Sequence, residues 1–170
     1  MTSAATALLV DAFDRLPDLA REAVAGLDVD ALTWRPDPRA NTLAWLVWHT
    51  ARGQDAQVAD LAGTDQAWTA DGWDGRADLP FPADEIGYGQ DPEEVGRVRL
   101  DADLLVGYLE AVTLRTRGFL EGLDEGRLDD VVDEAWDPPV TVGARLVSIL
   151  EDCVQHVGQA AYLRGLLDRR

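Results

Sequence analysis

The sequence predicts an all-α protein built on four main helices, and three observations carry that prediction. From Asp91 onward Val95, Val98, Ala102, Leu105, Leu109, Val112, Thr116 and Phe119 recur at alternating steps of three and four, the seam of one long amphipathic helix. Three further segments, about residues 4–26, 42–62 and 141–168, carry helical apolar spacing between residues that start and stop helices. No stretch alternates apolar and polar residues for long enough to argue a sheet.

Taken in order, the first helix places Leu8, Leu9, Phe13, Leu16, Leu19, Ala20 and Val24 inward, with Pro17 expected to kink or split it and Gly26 to end it. A WRPDP loop follows, and Asn41 or Thr42 can cap a second helix that runs to about Ala62. Residues 63–90 form a connection too long for a plain turn, and Trp68, Trp73, Phe81 and Tyr88 argue that it packs on something. Two roles fit it, a crossover that plugs one end of the bundle or a functional loop. Asp91 as cap and Pro92 as first helical residue suit the start of the long third helix. Thr141, just after Pro138 and Pro139, can cap the last helix. With no internal repeat or low-complexity run, a single domain over residues 1–170 is expected.

Composition narrows the chemistry. The chain carries 15 basic and 32 acidic residues, a formal charge of −17, and every base is arginine. Such a surface repels phosphate backbones and anionic lipid, so neither nucleic acid nor membrane is an expected partner. Without lysine, Schiff-base and P-loop chemistry are excluded. The single cysteine, Cys153, allows no internal disulfide and suits a reducing compartment. The N-terminal stretch lacks a basic start, and Asp11 and Asp14 interrupt its apolar run, so the expectation is a soluble, cytoplasmic protein.

Imidazole chemistry is confined to His49 and His156. On the last helix Asp152 and His156 are four residues apart and lie close to the apolar stripe of Leu146, Ile149, Cys153 and Ala160, so both face the bundle interior or its rim. A carboxylate there must be paired, hydrogen-bonded or bound to a cation. His49 shares its helix face with Thr42, Trp45, Gly53 and Ala56, and the small residues among these leave room for a facing helix or a ligand. Two imidazoles and a carboxylate meeting across the bundle suit a divalent Zn, Ni, Fe or Mn ion with open positions. From spacing alone, an Asp–His pair four residues apart is more often an ordinary hydrogen-bonded pair than a metal site. Cys153 reads as a small core side chain, and Trp45 and Trp48 as core. Arg52, three residues beyond His49, is placed at the cavity rim, where it could bind a substrate carboxylate or form a surface ion pair. Gln159, one turn beyond His156, could orient a ligand or a metal-bound water.

LVSILEDCVQHVGQAAYLRGL from Leu146 to Leu166, with NTLAWLVWHTARGQD on the second helix, resembles the DinB-like superfamily, in particular its actinobacterial members. The resemblance spans essentially the whole chain, and QHVGQAAYLRG is its most specific part. It implies a four-helix bundle of up-down-down-up topology, with 63–90 as the crossover between helices two and three. It also implies a divalent metal held by a helix-two histidine and a His-x-x-x-His pair on helix four. His49 and His156 match the first and last ligands, whereas Asp152 stands where the family often has histidine. Characterised relatives transfer or isomerise with low-molecular-weight thiols such as mycothiol or bacillithiol, and they often form homodimers. The resemblance therefore implies a thiol-dependent transferase or isomerase acting on a small electrophile, with the thiol as co-substrate. A non-catalytic binding bundle with a degenerate site and a metal-dependent hydrolase are the competing readings.

Overall fold

The computed structural model describes residues 3–170, so Met1 and Thr2 of the expected 1–170 unit lie outside it. Among the described residues the chain is all-α apart from one short strand pair. The first predicted helix is split in two, α1 (Ala4–Asp14) and α2 (Leu16–Val24). Ser3 caps α1 through a bond from the Thr6 amide, and Pro17, which has no amide hydrogen to give, sits in the first turn of α2. Gly26, at φ +71, turns the chain away just beyond α2. A single turn, α3 (Val29–Leu32), precedes the WRPDP loop. Helix α4 (Leu43–Ala62) begins where Thr42 accepts from the Trp45 amide and stops at the left-handed Gly63, as the sequence predicts.

The crossover is ordered. It holds two short helices, α5 (Ala67–Ala70) and α6 (Trp73–Ala77). Trp68 is buried, Trp73 and Phe81 are half-buried, and Tyr88 alone of the four aromatics projects into solvent.

The long third helix is not continuous. Helix α7 (Pro92–Arg97) opens with Asp91 and Glu94 in a reciprocal capping box, and α8 (Ala102–Gly122) starts afresh with Asp101 accepting from the Leu104 amide. Between them Val98 and Leu100 point inward while Arg99 and Asp101 point out. In an unbroken helix Val98 and Leu100 would lie about 200° apart and one would be exposed. An extended link buries both, and the heptad pattern, which skips Leu100, cannot show it. Outward-facing Arg99 pairs with Asp30 at 2.7 Å.

A turn of 3-10 helix leads to β1 (Val131–Asp133), antiparallel to β2 (Val140–Thr141). These strands are too short to leave the period-two pattern whose absence predicts no sheet. Thr141 then caps α9 (Val142–Leu167) by accepting from the Ala144 amide. In the bundle α4 packs on α8 and α9, while α1 and α2 cover α8, and α2 also lies along α9. One apolar core runs from Phe13 through Trp48 and Leu109 to Leu163. This arrangement sets His49 on α4 against Asp152 and His156 on α9.

Candidate metal centre

His49, Asp152 and His156 come together as the spacing predicts: each offers one ligand atom, and these atoms all lie within 4.8 Å of one another. The imidazoles face each other edge to face, with ring centroids 4.9 Å apart at 76°. His156 Nε2 is 3.4 Å from Asp152 Oδ1, the edge of a tetrahedron of bonds about 2.1 Å long. Gly53 on α4 faces the same carboxylate, with Asp152 Oδ2 3.7 Å from where a Cβ would sit. The small residue thus lets α9 come close, as the face of small residues suggests.

Each imidazole is oriented by its other nitrogen. His49 Nδ1 donates to the Ile86 carbonyl at 2.5 Å, and because a carbonyl can only accept, Nε2 is left with its lone pair. His156 Nδ1 donates to Gln159 Oε1 at 3.1 Å, which leaves its Nε2 toward Asp152. Oxygen acceptors on the far nitrogens are what metal-ligating histidines ordinarily have. Gln159 thereby positions an imidazole; the sequence suggests it for a ligand or a water.

Trp45 walls the centre on one side, stacked on His49 at 4.5 Å and 14°, edge-on to His156 at 5.9 Å, with its indole Nε1 donating to Gln90 Oε1 at 2.8 Å. It belongs to the core and lines the site at once. Burial holds the His49 imidazole below its ordinary pKa, outweighing the bond to Ile86 that favours the charged ring. The hydrogen bond with His156 pulls the Asp152 carboxyl below its usual range. For His156 burial pushes down, but the hydrogen bonds to Asp152 and Gln159 outweigh it and raise the pKa. The site is therefore a neutral imidazole beside an Asp–His pair that attract each other's charged forms.

Arg52 lies elsewhere than at the expected rim. Its side chain is fully buried, 3.6 Å from Asp55, and it donates to Tyr108 Oη, Gln66 Oε1 and the carbonyls of Ala83 and Glu85. The helix turn that carries it points toward the crossover and α8, and the expectation of a surface ion pair gives way to an interior one. Cys153 is in the core as expected, its thiol pushed up by burial. Sequence reasoning missed the residues that frame the site from the crossover, Glu85, Ile86, Gly87 and Gln90. Ile86 acts through its carbonyl, which no sequence motif marks. Gly87 left a faint signal, since an isolated glycine between larger residues can mark a close backbone approach.

The model for the DinB superfamily matches residues 12–160, from the last turn of α1 to the second half of α9. The chain belongs to the DinB superfamily. A crystallised conserved protein from Enterococcus faecalis has the same fold, with a TM-score of 0.91 and 35% sequence identity over 97% of this chain and 98% of that one. No curated protein matches the sequence. Among the described residues no helix is long and apolar enough to cross a membrane. Within this DinB fold the donor set of two imidazoles and one carboxylate, with His49 held in the tautomer that frees Nε2 and His156 Nε2 turned to Asp152, fits a divalent ion that takes the place of the His156 proton.

Proposed function

We propose that this DinB protein is a metal-dependent enzyme that joins a low-molecular-weight thiol, such as mycothiol or bacillithiol, through its sulfur to a small electrophilic substrate, the thiol proton being released, or uses the thiol to isomerise that substrate. The observation that supports the metal part of the proposal is the convergence of two imidazoles and one carboxylate, with both Nδ1 atoms facing oxygen; the thiol chemistry is what the family resemblance implies. His49, Asp152 and His156 would hold Zn, Ni, Mn or Fe. When bound, such an ion supplies positive charge that lowers a thiol's pKa and leaves coordination positions open for it.

The chain's own residues prepare that site. Burial keeps His49 neutral and able to donate its lone pair. Asp152 stays anionic across the neutral range and supplies one negative charge rather than a third imidazole, which makes the donor set harder. Trp45 closes one side against water. The protein offers no thiolate itself, because Cys153 is buried with its pKa raised; the attacking sulfur has to come from the co-substrate.

Elemental analysis of protein purified without an affinity tag, before and after addition of Zn, Ni or Mn, tests the metal. About one equivalent is expected in the wild type and none in His49→Ala; less than about a tenth of an equivalent throughout refutes the proposal. Conjugation of mycothiol or bacillithiol to a panel of electrophiles tests the chemistry, and turnover by hydrolysis without thiol refutes the transferase. The homodimer implied by the resemblance belongs to the same proposal, and light scattering would read it as twice the 18.5 kDa chain mass.

A further inference from the structure

The crossover meets the metal centre through its backbone. Residues 83–87 pass over α4 so closely that a Cβ on Gly87, at φ +94, would lie 2.8 Å from His49 Nδ1 and 3.0 Å from Trp48 Cζ3. Any side chain there displaces the imidazole or the indole. The preceding carbonyl, Ile86 O, takes the Nδ1 proton of His49, and the Glu85 carboxylate accepts from the Gly87 amide at 2.6 Å, tying the turn to itself.

Arg52 holds this turn down. Its Nε donates to Glu85 O at 3.1 Å and its Nη2 to Ala83 O at 3.2 Å, so the rigid edge of the guanidinium spans two carbonyls of one strand of chain. Its Nη1 is anchored on Gln66 and Tyr108, with Asp55 countering the charge. Among the described residues, the hydrogen bonds from the bundle to residues 83–86 come from Arg52 and His49 alone. Without Arg52, His49's own bond is the one hydrogen bond from the bundle left on residues 83–86 among the described residues.

We infer that Arg52, which makes no hydrogen bond to either imidazole, is a positioning residue of the centre: by fixing residues 83–87 through its fork it sets the tautomer and orientation of His49. Its consequence for metal binding rests on the reading proposed above; its effect on His49 does not. Lysine keeps the charge but offers a point donor that cannot bridge both carbonyls in this geometry. Alanine at Gly87 attacks the same contact from the other side and leaves the Arg52 network untouched.

Two measurements on the full chain test this. In metal-free protein, long-range proton–nitrogen spectra of the imidazoles report which nitrogen carries the proton. Wild type should show His49 with hydrogen on Nδ1, and both Arg52→Lys and Gly87→Ala should show loss of that single tautomer, with far-UV circular dichroism unchanged. In cobalt titrations both variants should bind Co(II) about 10–100-fold more weakly, the usual cost of losing an outer partner of a ligating histidine, with altered visible bands. Val112→Ala, a core truncation away from the site, should lower stability yet leave the tautomer and cobalt affinity at wild-type values; a shift there as large as in Arg52→Lys refutes a positioning role. Wild-type tautomer in folded Arg52→Lys and Gly87→Ala overturns the inference. If wild type binds no cobalt, the metal reading fails while the tautomer measurement still decides the role of Arg52.

Discussion

Asp55→Asn should cost about 3 kcal/mol of stability, although it removes no volume and lies outside the metal centre. The carboxylate is 4% exposed. Oδ1 accepts from the Ala67 amide at 2.9 Å, while Oδ2 accepts from the Trp68 amide and from Tyr108 Oη, both at 2.8 Å, with Arg52 3.6 Å away. It thus caps α5 and neutralises the buried guanidinium in one stroke. An amide has one acceptor oxygen, so its nitrogen must face a donor. The smaller loss turns it toward Ala67 and leaves one orphaned amide, worth about 1.5–3 kcal/mol for a bond to a charged acceptor. The uncompensated Arg52 adds to this, and breaking a buried pair costs about 3–5 kcal/mol in total. At a urea m-value of about 2 kcal/mol per molar, a 3 kcal/mol loss lowers the unfolding midpoint by about 1.5 M. Urea titration followed by circular dichroism reads this directly. Asp60→Asn, on the exposed side of the same helix, should stay within about 0.5 kcal/mol of wild type. A midpoint for Asp55→Asn within the error of the Asp60 control refutes the reasoning, because it would mean that the carboxylate's charge and second acceptor are dispensable.

Asp152→Asn should weaken Co(II) binding by more than about 100-fold, beyond the 10–100-fold typical of outer partners, while Asp152→His, which restores the family's usual ligand, should retain it; equal affinity in Asp152→Asn and wild type by cobalt titration would count against a direct ligand. His156 makes the metal-free protein's stability depend on pH. Its folded pKa is raised above the ordinary value near about 6.5, so its contribution is complete below that pH and is lost as pH rises through the raised value. Asp152, with a lowered pKa, contributes above the usual carboxylate range and loses its contribution only as pH falls through the lowered value. The melting-temperature gap between wild type and His156→Gln should therefore be widest from about pH 4 to about 6.5 and shrink toward alkaline pH; a gap that widens with pH contradicts the sign. Asp101→Ala removes the cap that restarts α8 and should cost about 1 kcal/mol in the same urea assay, whereas no effect would show that α7 and α8 do not need that break.

Helix existence and most helix ends were legible because they depend on neighbours along the chain. Thr42, Asp91 and Thr141 each cap the helix they precede, and Pro17 divides the first one. The candidate trio was legible for a different reason. The helical period places Asp152 and His156 on one face and so suggests a site, but it was the resemblance of the two histidine-bearing helices to the family that marked His49, Asp152 and His156 as a candidate ligand set. The break at Val98–Asp101 was not legible, because a heptad pattern records the faces of a helix and is blind to a link that buries Val98 and Leu100 together. Arg52 was misplaced for a related reason. Position on a helix gives an angle, but whether that angle meets water or protein depends on what the crossover does.

The sequence by itself determined an all-α chain, its caps, and the three side chains able to gather on facing helices, since local hydrogen bonding and helical period act over a few residues. Only the tertiary structure decided that His49 donates to Ile86, that Gly87 must be bare, and that a buried arginine clamps the turn between them. Those contacts join residues more than 30 positions apart through main-chain atoms, and a carbonyl oxygen has the same chemistry whatever side chain it follows.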